Sequence, residues 1–429
     1  MHPSLIDSFA STDALTEVFS DAAVVRAMLR FEQALAEAQR RLFIVPDVAV
    51  FAMQSAQIDP ATFAWRSRQS ASLAIPFVKA LTRHADEIKA GAAAWVHYGA
   101  TSQDLLDTTL VLLLASARTI LAGDHLRLKK LLRTLSDQHA STIMLARTLL
   151  QPAPPTTFGY KVAGWYGSIH RSWRDLSRAF DEALVLQFGG ASGTLAAYSA
   201  RGPELARELA KELQLSVPAA PWHSHRDRMA SLVAHSGIYA GCIAKIARDI
   251  TLLMQPEIGE VSERGGGSSA MPHKRNPAGS VVALAAAHTV PGLVSSYLSA
   301  MPQENERAAG GWQAEWPMVA RVVQATGSAL ASMADTITDL TVDPARMRAN
   351  LEATQGAVFA EKAAMLLAPK MGREAAQKLV AEALKRGTLR DGLAHALPPD
   401  QLESLDSPED YLGSAETFRR QLLEPDTND

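Results

Sequence analysis

The stretch LLDTTLVLLLASARTILAGDHLRLKKLLRTL, Leu105 to Leu135, contains no proline, and its apolar residues Leu106, Leu110, Leu113, Ala117 and Ile120 step by alternating four and three. That spacing lines one face of a helix of 3.6 residues per turn and predicts a single long helix. Working outward, Val24, Met28, Phe31, Leu35, Ala38 and Leu42 repeat the stepping, with Ser20 as the N-cap and Pro46 as the stop. Met229 to Gln255 and Met318 to Leu340 are proline-free and rich in Ala, Leu, Ile and Met, whereas alternating apolar and polar runs are scarce. The chain therefore reads as all-α. Helices of about 25 residues run roughly 40 Å, more than a compact domain needs, and imply a bundle that extends into an oligomer. The Ala-rich surfaces of Val281 to Ala287 and Ala325 to Ala334 point the same way.

Length and composition set the frame. A chain of 429 residues, 47% hydrophobic, can bury a large core in two or three domains. Gly or Asp-Pro interrupts the helical pattern near His97-Tyr98-Gly99 and Val342-Asp343-Pro344. These breaks divide the chain into an N-terminal helical domain (1–98), a central long-helix bundle (99–343) and a C-terminal helical domain (344–429); the tail Pro425 to Asp429 is expected to fray. A formal charge of −3 offers no electrostatic reason to invoke nucleic acid or an anionic membrane, and the expected partner is a small molecule. The only cysteine, Cys242, sits in an apolar run and is expected as a buried thiol, consistent with a reducing cytoplasm. Met1 to Asp7 lacks a basic region followed by an apolar one, and Leu110 to Ala117 is too short to span a bilayer, so a soluble, cytoplasmic protein is expected.

Chemistry concentrates in a few segments. Gly265-Gly266-Gly267-Ser268-Ser269-Ala270-Met271-Pro272-His273-Lys274-Arg275-Asn276-Pro277 combines three glycines with two hydroxyls, two fixed cations, an imidazole and a carboxamide. A Gly-Ser run is ordinarily a linker, but this one is dense in Met, Pro, His and Asn, and reads as a hinged loop that presents charge and donors to an anion. His97-Tyr98-Gly99-Ala100-Thr101-Ser102-Gln103-Asp104 precedes the long helix, where free amides and hydroxyls can hold a carboxylate. Gln187 to Thr194, with three glycines, lets backbone approach a ligand, and Met301 to Arg307 followed by Trp312 to Trp316 mixes charge with aromatics.

Gly-Ser-Ser-x-Met-Pro-x-Lys-x-Asn-Pro resembles the signature loop of the fumarase/aspartase superfamily at all its fixed positions. The set His97 to Asp104, Leu186 to Leu195, Pro221 to Arg228, Leu252 to Gln255, Met271 to Pro277 and Met301 to Arg307 resembles one branch, the bacterial 3-carboxy-cis,cis-muconate cycloisomerases. The resemblance implies a three-domain all-α homotetramer, each active site lined by segments from three subunits, with no metal or organic cofactor. It implies that Ser268 exchanges a proton on the carbon next to a carboxylate, that Lys274 and Asn276 grip that carboxylate, and that His97 stands close by. Thr101, Ser102 and Gln103 then line the anion pocket with Ser269 and Met271 in the loop, and Lys161 and Arg307 are candidates for further carboxylates of a polycarboxylate substrate. The implied reaction interconverts 3-carboxy-cis,cis-muconate and 4-carboxymuconolactone in protocatechuate degradation.

One departure bears on the reaction. Many lyases of the superfamily carry histidine where Leu149 stands, and some cycloisomerases carry one where Pro152 stands. A lyase that expels an amine benefits from a general acid, an effect worth roughly two to four powers of ten. Lactone opening expels a carboxylate, whose conjugate acid has a pKa of about 4 and which leaves without a proton. Leu149 thus favours cycloisomerisation over cleavage of a substituted succinate such as adenylosuccinate to fumarate, although His97, His223 or His225 remain possible proton donors for such a lyase. Intact Ser268, Lys274, Asn276 and Thr101 argue against a catalytically silent scaffold.

Overall fold

The computed structural model describes residues 5–267, 271 and 274–424. Helices account for 69% of the chain, and the sheets described are two antiparallel pairs. The all-α expectation holds. The long helix runs from Ser102 to Gln138, starting three residues before Leu105. It starts early because the Thr101 amide donates to the Asp104 carboxylate at 3.1 Å, a side chain three residues on satisfying the donor that precedes the helix. Leu106, Leu110, Leu113 and Ala117 are buried and Ile120 is half-buried, but burial is continuous from Gln103 to Leu114. This first third of the helix is enclosed on all sides, not on one face.

Three further helices, Asp227–Leu253, Ala278–Ala300 and Gly311–Thr338, follow the Ala-rich segments. The last starts seven residues before Met318 and tolerates Pro317 early in its course, and Pro291 lies within the second. The length argument made for Leu110 to Ala117 does not extend to whole helices. Ser102–Gln138, Asp227–Leu253 and Ala278–Ala300 are each long and apolar enough to cross a membrane by length and composition, with 67%, 50% and 33% of their most apolar windows buried within the protein. Cys242, expected buried, is half-buried.

Asp21–Arg41 is the first long helix, and Ser20 caps it as predicted by accepting from the Ala23 amide at 3.2 Å. Met28, Phe31, Leu35 and Ala38 are fully buried. The helix ends at Arg41, before Pro46, with Phe43 at φ 55; Pro46 instead caps the next helix, Asp47–Gln54. Proline is well placed there, since its missing N–H is no loss at a helix start.

A hairpin that the sequence does not announce pairs Ile143–Thr148 with Gln151–Thr157. Its turn is Leu149-Leu150, both at positive φ (50 and 64), where Asn-Gly is the usual pair. A register shift between Leu145 and Ala146 leaves Pro154 outside the ladder, so its missing donor costs no hydrogen bond.

The chain groups into two compact units. One comprises Met1–His125, Ser172–Ala244 and Val282–Ala331, and its core packs Met28, Phe31, Leu35, Phe77, Leu105 and Leu209. The other comprises Leu126–Arg171, Lys245–Val281 and Ser332–Asp429, with a core that includes Leu145, Phe359, Leu367, Leu389 and Leu393. The tail from Pro425 lies outside the described residues.

Candidate active site

In the first unit the structure brings His97, Thr101, Ser102, Gln103 and Arg307 together around a buried carboxylate. Asp104 is fully buried; its Oδ1 accepts from the Gly189 amide at 2.9 Å and lies 2.8 Å from His223 Nε2, and its Oδ2 accepts from the amides of Gly190 (2.8 Å) and Thr101 (3.1 Å). One side chain therefore ties the helix start to the glycine loop. Gly189 must be glycine, because a Cβ would stand 2.7 Å from Pro221 and 2.8 Å from the His223 ring. Thr101 and Ser102 remain half-buried, with their hydroxyls at the helix N-terminus where an anion is favoured. His223 Nε2 is taken up by Asp104, and His225 is exposed.

His97 sits at φ 55, and its Nδ1 lies 2.6 Å from Oε1 of the fully buried Glu32. Burial acts to lower the imidazole's pKa, but the Glu32 carboxylate, helped by Asp104, outweighs it and holds the ring above its ordinary value. The carboxylate thereby favours the cationic form of the ring, the form that would attract an anionic substrate. Gly99, at φ 71, lets the backbone turn against Tyr198, whose ring carbon and hydroxyl would each stand 2.4 Å from a Cβ. Gln39 Nε2 donates to the Tyr98 carbonyl and the Tyr198 hydroxyl, both at 2.8 Å, and so fixes the turn from behind.

Gln103 is fully buried, its Nε2 donating to the His223 carbonyl (2.7 Å) and Asp107 Oδ2 (3.1 Å) and its Oε1 accepting from Arg307 Nε (3.1 Å). Beneath it, Arg226 reaches Asp107 through Nη1 (2.8 Å) and Nη2 (3.1 Å) and Glu315 through Nη2 (2.7 Å), with its guanidinium 4.5 Å from the Trp222 ring centroid. Two carboxylates share one guanidinium without water contact. Burial pushes the Glu315 carboxyl up despite Arg226 beside it, and the two carboxylates hold Arg226 well above an ordinary guanidinium.

The second unit holds the base of the signature loop. The Asn276 amide donates to the Gly266 carbonyl at 2.7 Å, Gly267 bridges Arg275, and the Lys274 amide donates to the Met271 carbonyl at 3.0 Å. Glu263 accepts from the Gly279 (2.8 Å) and Ser280 (3.2 Å) amides, capping the helix that follows. The loop is thereby anchored on both sides. Lys274 and Met271 are exposed and Asn276 is half-buried; Ser268 and Ser269 lie outside the described residues. Lys161, on the Phe158–Ala183 helix, has its pKa lowered by burial, with Asp249 opposing and Lys245 and Arg147 adding to the shift. Arg147 itself pairs with the fully buried Glu260 at 2.7 Å, and Asn350 donates to the same carboxylate at 2.8 Å.

Sequence reasoning missed Glu32 and Asp107 altogether. Arg226 and Glu315 stood inside quoted segments without a role. Among the described residues no group of three or more His, Cys, Asp or Glu side chains is gathered as a metal site would require.

This helical architecture is that of a lyase scaffold, and the chain belongs to the fumarase/aspartase superfamily: the family model described as Lyase matches residues 10–292. The chain is 42% identical to a 3-carboxy-cis,cis-muconate cycloisomerase of Pseudomonas aeruginosa, the match covering 98% of this chain and 95% of that one. A cycloisomerase of the same name from Bradyrhizobium diazoefficiens is 40% identical, over 98% and 97% of the two chains. The crystal structure of 3-carboxy-cis,cis-muconate lactonizing enzyme from Pseudomonas putida superposes with a TM-score of 0.93 at 39% identity, covering 98% of each chain.

Proposed function

We propose that the protein is a 3-carboxy-cis,cis-muconate cycloisomerase that interconverts this triacid and 4-carboxymuconolactone. The observation that carries the reading beyond the family is at residue 149. Leu149 is 96% exposed at the tip of the hairpin, and Leu150 beside it is also apolar, so this tip supplies no proton where an amine-expelling lyase of the superfamily carries its histidine. A carboxylate leaving group needs none.

In the lactonising direction a carboxylate oxygen of the muconate attacks the alkene and forms the C–O bond. The displaced electron pair collects on the conjugated carboxylate as an aci-carboxylate, and the proton arrives at the neighbouring carbon from Ser268. Lys274 and Asn276 stabilise the charge as it develops; one such donor is worth about 3 kcal/mol of barrier. Thr101, Ser102, cationic His97 and Arg307 hold the remaining carboxylates, with Lys161 a further candidate. The protein is read as a soluble cytoplasmic homotetramer, organised as 1–98, 99–343 and 344–429, and needing no cofactor.

Loss of the conjugated-diene absorbance of 3-carboxy-cis,cis-muconate without fumarate release is the expected result. Fumarate release from a substituted succinate, with no action on the muconate, overturns it. Ser268→Ala is expected to abolish turnover while retaining substrate binding; retention of more than about a tenth of wild-type kcat rejects serine as the proton carrier.

A further inference from the structure

We propose that Gln103 is a positioning residue: Asp107 and the His223 carbonyl lock its carboxamide in one orientation, and its oxygen thereby aims the Arg307 guanidinium at a substrate carboxylate. The proposal rests on the reading that a polycarboxylate occupies this site.

The orientation of the amide follows from its neighbours. The Asp107 carboxylate and the His223 carbonyl accept hydrogen bonds and donate none, and they lie 3.1 and 2.7 Å from one end of the amide. Only the NH2 end satisfies both. Rotating the amide by half a turn would set its oxygen against two acceptors and its nitrogen against the Arg307 Nε–H, breaking three bonds at a fully buried position. The Gln103 oxygen therefore faces Arg307 Nε in every low-energy arrangement.

Asp107 can impose this because it is itself held from every side. Its Oδ2 accepts from Arg226 Nη1, Gln103 Nε2 and, at 3.2 Å, Gln187 Nε2, while its Oδ1 accepts from Arg226 Nη2 and from Trp312 Nε1 at 2.9 Å. Arg226 is fixed in turn by Glu315 and the Trp222 face. A rigid buried ion pair thus terminates in one amide oxygen near the surface.

Arg307 is the outer end of this chain of contacts. Its Nε is bound to Gln103 and one Nη2–H to the Ala191 carbonyl at 3.1 Å, and among the described residues Nη1 makes no hydrogen bond. Pinned at two points, the planar guanidinium keeps an Nη1 edge for an incoming carboxylate, which avoids the entropy of ordering a free arginine when substrate binds. Both N–H groups of Gln103 are used within the protein, so it has no donor left for a substrate carboxylate.

The test uses the full-length protein. Gln103→Met keeps the side-chain length and removes the acceptor. It is expected to raise KM for 3-carboxy-cis,cis-muconate about tenfold and to change kcat less than about threefold, the pattern of lost uniform binding. Arg307→Lys, which lacks the Nε–H, should raise KM by at least as much, and the double variant should be no worse than Arg307→Lys alone, because Gln103 acts through Arg307. Multiplicative effects of the two substitutions would overturn the proposal. In protein labelled with 15N-arginine and free of substrate, the Arg307 Nε–H should exchange slowly with solvent in the wild type and rapidly in Gln103→Met. Rapid exchange in the wild type, or equal exchange in both, also overturns it. If Gln103→Met does not fold, the wild-type exchange rate decides alone. Exchange is read without substrate, so it judges the pairing even if the wild type fails to turn over the muconate, a failure that bears on the functional reading only.

Discussion

His97 Nδ1 and Glu32 Oε1 stand 2.6 Å apart although 65 positions separate them in the chain, and among the described residues the other, buried oxygen of Glu32 has no hydrogen-bond partner. The carboxylate favours the charged form of the imidazole. Glu32→Gln removes the main attraction and leaves burial opposed only by the weaker pull of Asp104. The His97 pKa should then fall below its wild-type value, measured by NMR titration of the ring protons. The sign is set by the raised native pKa: the pair's contribution to stability is full below the unfolded value of about 6.5 and is lost as pH rises through the native value. If cationic His97 holds substrate, the alkaline limb of the kcat/KM profile moves to lower pH in Glu32→Gln. An unchanged or raised His97 pKa in the variant rejects the pairing.

Asp104 should be a costly position near the site. Asp104→Ala leaves the amides of Gly189, Gly190 and Thr101, together with His223 Nε2, without their acceptor in a dry interior. A buried polar group left unpaired costs about 1–3 kcal/mol, and relaxation shares the loss, so a destabilisation of about 3–5 kcal/mol is expected. Urea unfolding at fixed protein concentration measures it. A loss under about 1 kcal/mol means the glycine loop is held by something else.

The parts of the molecule legible in the sequence are those governed by neighbours along the chain. Ser20 and the stepping of Met28, Phe31, Leu35 and Ala38 are local features, and the structure keeps them. The hairpin was illegible because Leu149-Leu150 is no turn signal and Pro152, Pro154 and Pro155 argue against a strand; the register shift takes Pro154 out of the ladder, and Pro152 and Pro155 lie on an edge strand of a two-stranded sheet, where proline is tolerated. The Arg226 network was illegible for another reason. Asp107 and Glu315 lie 119 and 89 positions from Arg226, and no periodicity records which buried charges meet across such distances. The same holds for Glu32, which sits on the buried side of a helix and reads in sequence as an ordinary surface charge.

Two adjacent glycines in the signature loop should respond differently to alanine. Gly266 lies at φ 70, and a Cβ there would stand 2.0 Å from the Asn276 carbonyl oxygen; Gly267 has nothing within 4 Å among the described residues and no positive φ. Strain of about 1–3 kcal/mol at the loop base corresponds to roughly fivefold to a hundredfold or more, and the 2.0 Å backbone clash places Gly266 above the low end. Gly266→Ala is therefore expected to lower kcat/KM by about tenfold or more, and Gly267→Ala by less than about threefold. Equal sensitivity at the two positions removes the argument that the Gly266 to Asn276 contact sets the loop.

The proposed tetramer makes the strongest demand on the enzyme. Leu149 and Leu150 are exposed at the hairpin tip, and Val281 and Leu298 are about half exposed on the Ala278–Ala300 helix, whose apolar window is only 33% buried within one chain. Apolar surface of this extent is what a neighbouring copy would cover. The expected site residues also fall into two groups by chain position: His97, Thr101, Ser102, Gln103 and Arg307 belong to one compact unit, and Lys161, Ser268, Lys274 and Asn276 to the other. If the groups meet between chains, two inactive proteins can repair each other. A Ser268→Ala chain and a Thr101→Ala/Ser102→Ala chain, mixed in equal amounts after gentle dissociation, would place both intact segments in about a quarter of the reassembled sites, since each segment is then drawn independently from different subunits. Turnover near that fraction of wild type is the expected result. Mixed tetramers verified by mass with no recovered turnover would argue that both segments come from one chain, and a fully active monomer in sedimentation would reject the shared-site assembly itself.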